Sequence, residues 1–155
     1  MMVESADFYE KDGNPVVAQS FCVVADLLGL KARVTRCEGE EELNDLCTLL
    51  ADLLAEATSL FKEEWSDTSS WRPWAHRVFS DTLLLGYPIV SRNDAGEPEL
   101  GGSLDFVQWF QFRMALGGFF VCGGMSIGYL HLSSEHCFGP ALIEAHEIEQ
   151  RPPNL

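Results

Sequence analysis

The spacing of apolar residues changes character several times along this chain. From Val16 to Ala25, VVAQSFCVVA is β-branched and almost wholly apolar, and the next residue is Asp26. A short run of this kind predicts a buried strand, with the acid at its C-terminal end. LLGLKARVTR predicts a short helix. Residues 40–64 then place Leu43, Leu46, Leu50, Leu53, Leu54, Ala57, Leu60 and Phe61 at helical spacing, so a long amphipathic helix is expected. SDTSSWRPW is a polar break. HRVFSDTLLLGYPIV follows as two strands about Ser80-Asp81, reaching Arg92. Ser and Asp suit a tight turn because their short side chains bond nearby backbone groups.

NDAGEPELGG reads as a loop, and Ser103 as the N-cap of a helix whose stripe is Leu104, Val107, Phe110 and Met114. Gly117-Gly118 ends that helix. FFVCGGMSIGYLHLS predicts a strand, a closely packed glycine region and a further strand. FGPALIEAHEIEQ closes the pattern as a helix with Pro140 near its first position, stopped by RPPN. The expected order is β-α-α-β-β-α-β-β-α. This is an α+β arrangement with helices covering a mainly antiparallel sheet, and it resembles a ferredoxin-like core. Residues 1–15 read as a loose leader with DGNP as a turn, residues 16–150 as one domain, and 151–155 as a tail.

Composition narrows the partners. The net charge is −14, from 24 acids and 10 bases. That opposes nonspecific binding to a nucleic-acid polymer and docking on an anionic membrane. It is compatible with Mg²⁺ or Mn²⁺, which favour carboxylate oxygens. Glu38, Glu40, Glu41 and Glu42 crowd a helix start, where acids suit the dipole. There is no uncharged apolar run long enough for a membrane span, and the N-terminus lacks the basic and apolar regions of a signal peptide, so a cytoplasmic location is expected. The five cysteines are scattered and form no C-x-x-C pair, which reads as reduced thiols.

Asp26 and Asp81 lie 55 positions apart. A central first strand beside the hairpin would bring them together at one edge of the sheet. Two close carboxylates repel unless a divalent cation or a proton sits between them. The bland alternatives are a strand-end acid that caps the next helix and a turn former.

Several segments resemble class III nucleotide cyclase domains. VVADLLGLKARV is similar to their opening strand, FSDTLLLGYPI to the hairpin carrying their second metal-binding Asp, and GGFFVCGGMSIGYLHLSSEHCFGPALIEAHEIEQ to their strand-glycine-strand region and following helix. The likeness is nearest to divergent bacterial and phage cyclase-like domains with D-[IL]-L-G-F, F-S-D-[ST], R-G-[GA]-I-x-x-G and F-G-x-A-L-I-E-A-x-x-[IL]-E. It covers about residues 16–150. The resemblance implies a cyclase or GGDEF-like palm core with Asp26 and Asp81 as ligands of Mg²⁺ or Mn²⁺. It implies a nucleoside triphosphate near Ser80, Gly123 and Gly124, a homodimer, and a cyclic or short oligonucleotide signal of the kind used in phage defence. Related domains usually continue past the last helix into another strand, so a chain that stops at EQRPPNL reads as either a truncated or a minimal version of such a domain.

Some positions depart from that family. Active cyclases carry an Asn and, four residues later, an Arg on the last helix. Those positions here hold Ile143 and Glu147. Cys122 stands where the divergent group has Arg, and Leu30 where an aromatic is common. Loss of one well-placed donor costs about 10²–10³ in rate. Two functions therefore stay open: metal-dependent nucleotidyl transfer, and a catalytically degenerate cyclase-homology domain serving nucleotide sensing or dimerisation.

Overall fold

A computed structural model of the chain describes residues 6–64, 75–90, 96–133 and 135–151. The polar break with Trp65, Trp71 and Trp74, the residues around Arg92, and all but the first residue of the tail lie outside the described residues. The elements are α1 (Ala6–Tyr9), β1 (Glu10–Lys11), β2 (Asn14–Pro15), β3 (Ala18–Leu28), α2 (Leu30–Arg36), α3 (Glu40–Glu64), β4 (Ala75–Phe79), β5 (Thr82–Pro88), α4 (Glu97–Leu116), β6 (Phe120–Leu132), β7 (Cys137–Phe138) and α5 (Pro140–Glu149). The protein is α+β, and the chain divides into two compact units.

The first unit comprises Met1–Asp26, Arg72–Ser103 and Cys122–Leu155. It contains an antiparallel sheet in the order β4-β5-β3-β6-β7. The β4–β5 hairpin has a two-residue loop, Ser80-Asp81, closed by the pair Phe79–Thr82. β3 is buried over Ser20–Ala25, which explains why its sequence is apolar without alternation. It does not end at Asp26 but continues for two residues, because the ladder to β5 still pairs Asp26 with Thr82.

The core of this unit gathers Tyr9, Cys22, Val24, Leu130, Leu132, Ala141 and Ala145. Tyr9 comes from the segment that reads as a leader. It is 1% exposed, and its hydroxyl lies 2.9 Å from Ser20 Oγ. The Ser20 hydroxyl also donates to the Ala18 carbonyl, so the buried pair is satisfied. His131 stands edge-on to the Tyr9 ring and, through Nδ1, meets the Val16 carbonyl at 2.9 Å. DGNP does turn the chain: Asp12 and Gly13 both have positive φ between β1 and β2.

The second unit comprises Leu27–Trp71 and Leu104–Val121. Among its described residues, Leu27, Leu30, Leu53, Ala57, Phe106, Phe110, Met114 and Phe119 are buried and apolar. Phe106 and Phe110 stack with ring centres 6.0 Å apart. Arg33 donates to the Gly118 carbonyl at 3.0 Å and lies 4.3 Å over the Phe119 ring, which fastens α2 to the turn after α4. Arg113 pairs with Glu56 between α4 and α3.

Two boundaries differ from the pattern reading. α4 starts at Glu97, six residues before the expected cap. Glu97, Pro98 and Glu99 form a first turn with a proline and two acids, all favourable there. Ser103 lies inside the helix, and its hydroxyl bonds back to the carbonyls of Glu99 and Leu100. β6 is one strand rather than two, and the short partner β7 follows it.

Candidate functional site

The ladder register assembles the candidate acids. β3 and β5 run antiparallel, and Asp26 faces Thr82. Residues directly opposite in such a ladder present side chains to the same face. The Thr82 hydroxyl donates to Asp26 Oδ1 at 2.9 Å. Asp81 immediately precedes Thr82 in the loop, so the second acid stands one position from the residue that faces the first. Both aspartates are half-buried. Among the described residues, the Asp81 carboxylate makes no hydrogen bond or ion pair.

Ser80 is exposed, with φ of +57°. A positive φ at the first of two loop positions is the pattern of a type II′ turn, a place that favours glycine. The serine is thus held in a strained conformation at the loop tip.

Cys122, half-buried on β6, adds to this end of the sheet. Its thiol donates to Glu149 Oε1 at 3.8 Å. Burial pushes the thiol above its ordinary range, and the negative charges of Glu149 and then Asp26 push it further. Cys122 is therefore a neutral thiol amid acids, neither a thiolate nor a substitute for a cation. Glu149 also lies 3.6 Å from His146 Nδ1 one turn back on α5. Sequence reasoning did not single out Glu149, yet it is the last acid of the FGPALIEAHEIE stretch, so the signal was present.

Gly123 and Gly124 are closely packed. A Cβ on Gly123 would collide with the Val24 carbonyl, and one on Gly124 with the Ala145 carbonyl. Close approach of β3 and α5 is sufficient reason for glycine at both positions. Ile143 is 63% exposed and Glu147 is exposed, so neither is withdrawn into packing.

The donor chemistry suits a hard dication in one respect: Asp81 is the residue next to Thr82, which pairs with Asp26 in the ladder, and Thr82 takes only one oxygen of Asp26. Among the described residues, no three His, Cys, Asp or Glu side chains converge as a metal cluster. Mg²⁺ is commonly held by one or two carboxylates, with phosphates and water completing the shell.

No family model matches the chain, and no curated protein is significantly similar to it.

Proposed function

We propose that this protein is a nucleotidyl-cyclase-like domain that binds a nucleoside triphosphate together with Mg²⁺ or Mn²⁺. The observation that carries the reading is the Asp26–Thr82 register, with Asp81 next in the hairpin. Asp26 and Asp81 would hold the ion. Thr82 would orient Asp26 through Oδ1. Ser80, Gly123 and Gly124 would lie near the nucleotide. A bound dication supplies positive charge for the α-phosphate and the leaving pyrophosphate.

The strand order supports a ferredoxin-like palm core. The four strands β6-β3-β5-β4 are adjacent in that order, with helices between β3 and β4 and between β5 and β6. That is the split β-α-β connectivity of such cores. Pairing of two copies belongs to the same reading, since the family implies it.

One specific observation favours binding without turnover. Ile143 projects an apolar side chain into solvent, Glu147 brings an anion, and Cys122 is a neutral thiol beside Glu149. None of them can stabilise charge on a transferred phosphoryl group. The second reading is thus a degenerate cyclase-homology domain that senses nucleotide.

Incubation with each of the four nucleoside triphosphates and Mn²⁺, followed by mass spectrometry and calorimetry, separates the readings. A cyclic or oligonucleotide product supports the enzyme. Metal-dependent binding without product supports the sensor. Neither binding nor product overturns both.

A further inference from the structure

The apolar stripe of α3 is covered over its later turns and open over its first ones. Leu43, Leu46, Leu50, Leu53 and Ala57 follow at helical spacing and so share one side of the helix. Leu53 and Ala57 are buried. No residue from 40 to 52 is buried, although the stripe runs through them. Leu43 is 41% exposed, and Leu46 and Leu50 are half-buried. Leu49, 42% exposed, and the exposed Cys47 widen the open face. An amphipathic helix gains most of its stability by packing such a stripe against another apolar surface. Over residues 40–52, about 20 Å of helix, that gain is not taken.

Charge narrows what can cover it. Glu40, Glu41, Glu42, Asp45 and Asp52 lie in this stretch, Glu38 precedes it, and no Lys or Arg occurs from Cys37 to Phe61. None of those six acids forms an ion pair among the described residues. By helical spacing Glu40 and Glu42 flank the stripe on opposite sides, about 60° and 100° around the axis from Leu43. Nucleic acid and anionic lipid are repelled by such a face. A second copy of the same face would set acid against acid. Complementarity is left to a surface that is apolar along its centre and basic at its borders.

We propose that residues 40–52 dock a basic amphipathic helix of a partner protein. A helix suits the site because side chains three and four apart on α3 form ridges that the ridges of another helix fill. The partner's apolar side chains cover Leu43, Leu46 and Leu50, and its lysines or arginines meet Glu40 and Glu42 at the borders. Apolar burial supplies the affinity, while the acids select the partner and speed its approach. The surface uses none of the residues placed near the ion or the nucleotide, so it stands whether or not the chain binds a nucleoside triphosphate.

The probe is a synthetic peptide of leucine and lysine with its leucines at helical spacing. The control has the same composition with the leucines scattered. Titrated into the full chain, the first peptide should turn helical by circular dichroism, slow amide exchange over residues 40–52, and bind more weakly as salt rises. The scattered peptide should bind at least about tenfold more weakly. Leu43→Gln combined with Leu46→Gln keeps helix propensity and should cut affinity for the first peptide about tenfold. The melting temperature should hold, because neither leucine is buried. Glu40→Gln combined with Glu42→Gln should flatten the salt dependence, and serves as the second variant should the leucine pair disturb the fold. No binding, equal binding of both peptides, or protection confined to another segment overturns the proposal. So does sedimentation showing that the chain alone associates through residues 40–52, which would make a second copy the occupant.

Discussion

The Thr82 hydroxyl holds Asp26 at 2.9 Å across the β3–β5 ladder, and Thr82 is also the residue that follows Asp81. One threonine therefore links two acids that lie 55 positions apart in the chain. Its position makes the acid pair testable without disturbing the sheet.

Asp81→Asn should leave the fold nearly unchanged, since Asn serves a turn as well as Asp. Removing one of two neighbouring anions should leave the metal-free variant as stable as wild type or slightly more so. Wild type should gain stability on adding Mn²⁺, by about 2.7 kcal/mol at a hundredfold excess over Kd. The variant should gain much less. Thermal melts with and without Mn²⁺ decide this, and equal stabilisation of both proteins, or of neither, returns Asp81 to the role of a turn former.

Ser80→Gly should stabilise the protein modestly. The φ of +57° costs a residue with a Cβ and costs glycine little. Against glycine's greater chain entropy the net gain is about 0.5 kcal/mol. Urea unfolding measures it. If Ser80 also contacts the nucleotide, the same variant should bind a nucleoside triphosphate more weakly while being the more stable protein. Those opposite signs distinguish contact from loss of fold.

Gly124→Ala should be among the most damaging single substitutions. The added methyl meets the Ala145 carbonyl and comes within 2.8 Å of the Glu149 backbone nitrogen. Neither is a flexible side-chain end, so α5 must shift, at a cost of about 3 kcal/mol. Gly101→Ala is the control, because a Cβ there meets nothing and removes a glycine from the middle of α4. Circular dichroism melts should move in opposite directions for the two variants.

Stability should fall on the alkaline side. Burial, and then the nearby Cys137, raises the Cys22 thiol from 9.0 to about 12. Burial, and then the charge of Glu99, raises the Tyr87 hydroxyl from 10.0 to about 12. The folded protein therefore keeps protons that the unfolded chain releases across this window, and unfolding becomes easier as pH rises from 9.0 toward about 12. Cys22→Ala should lower stability at neutral pH by about 1 kcal/mol through the lost packing, while flattening the alkaline slope. Urea midpoints measured along the pH axis test both effects. A slope unchanged in Cys22→Ala would sink the assignment to that thiol.

Much of the element order is local and could be read directly. The helix over residues 40–64 follows from leucines at helical spacing, and the β4–β5 turn from Ser-Asp between two apolar runs. From β3 to α4 the succession of strands and helices is the one that periodicity predicts, whereas the two strands expected within FFVCGGMSIGYLHLS are the single strand β6 and β7 lies beyond them. Such features depend on each residue's near neighbours, which the sequence lists in order.

Other features depend on partners that lie far away in the chain. Ser103 has the chemistry of a cap, but the same oxygen can bond back to carbonyls within a helix. The favourable first turn at Glu97–Glu99 selects the second use. Tyr9 belongs to a segment with no apolar pattern, yet it fills the core because Ser20 receives its hydroxyl. The glycines of β6 look like a break until the close backbones of β3 and α5 explain them within a continuous strand. Likewise, Asp26 and Asp81 were each visible as acids, but their adjacency follows from the β3–β5 register. The placing of Glu149 against Cys122 follows from how α5 packs on β6. Local pattern specifies which face of an element seeks burial. Register and packing select what it meets there, because those choices rest on cross-strand and helix–sheet contacts that linear order does not contain.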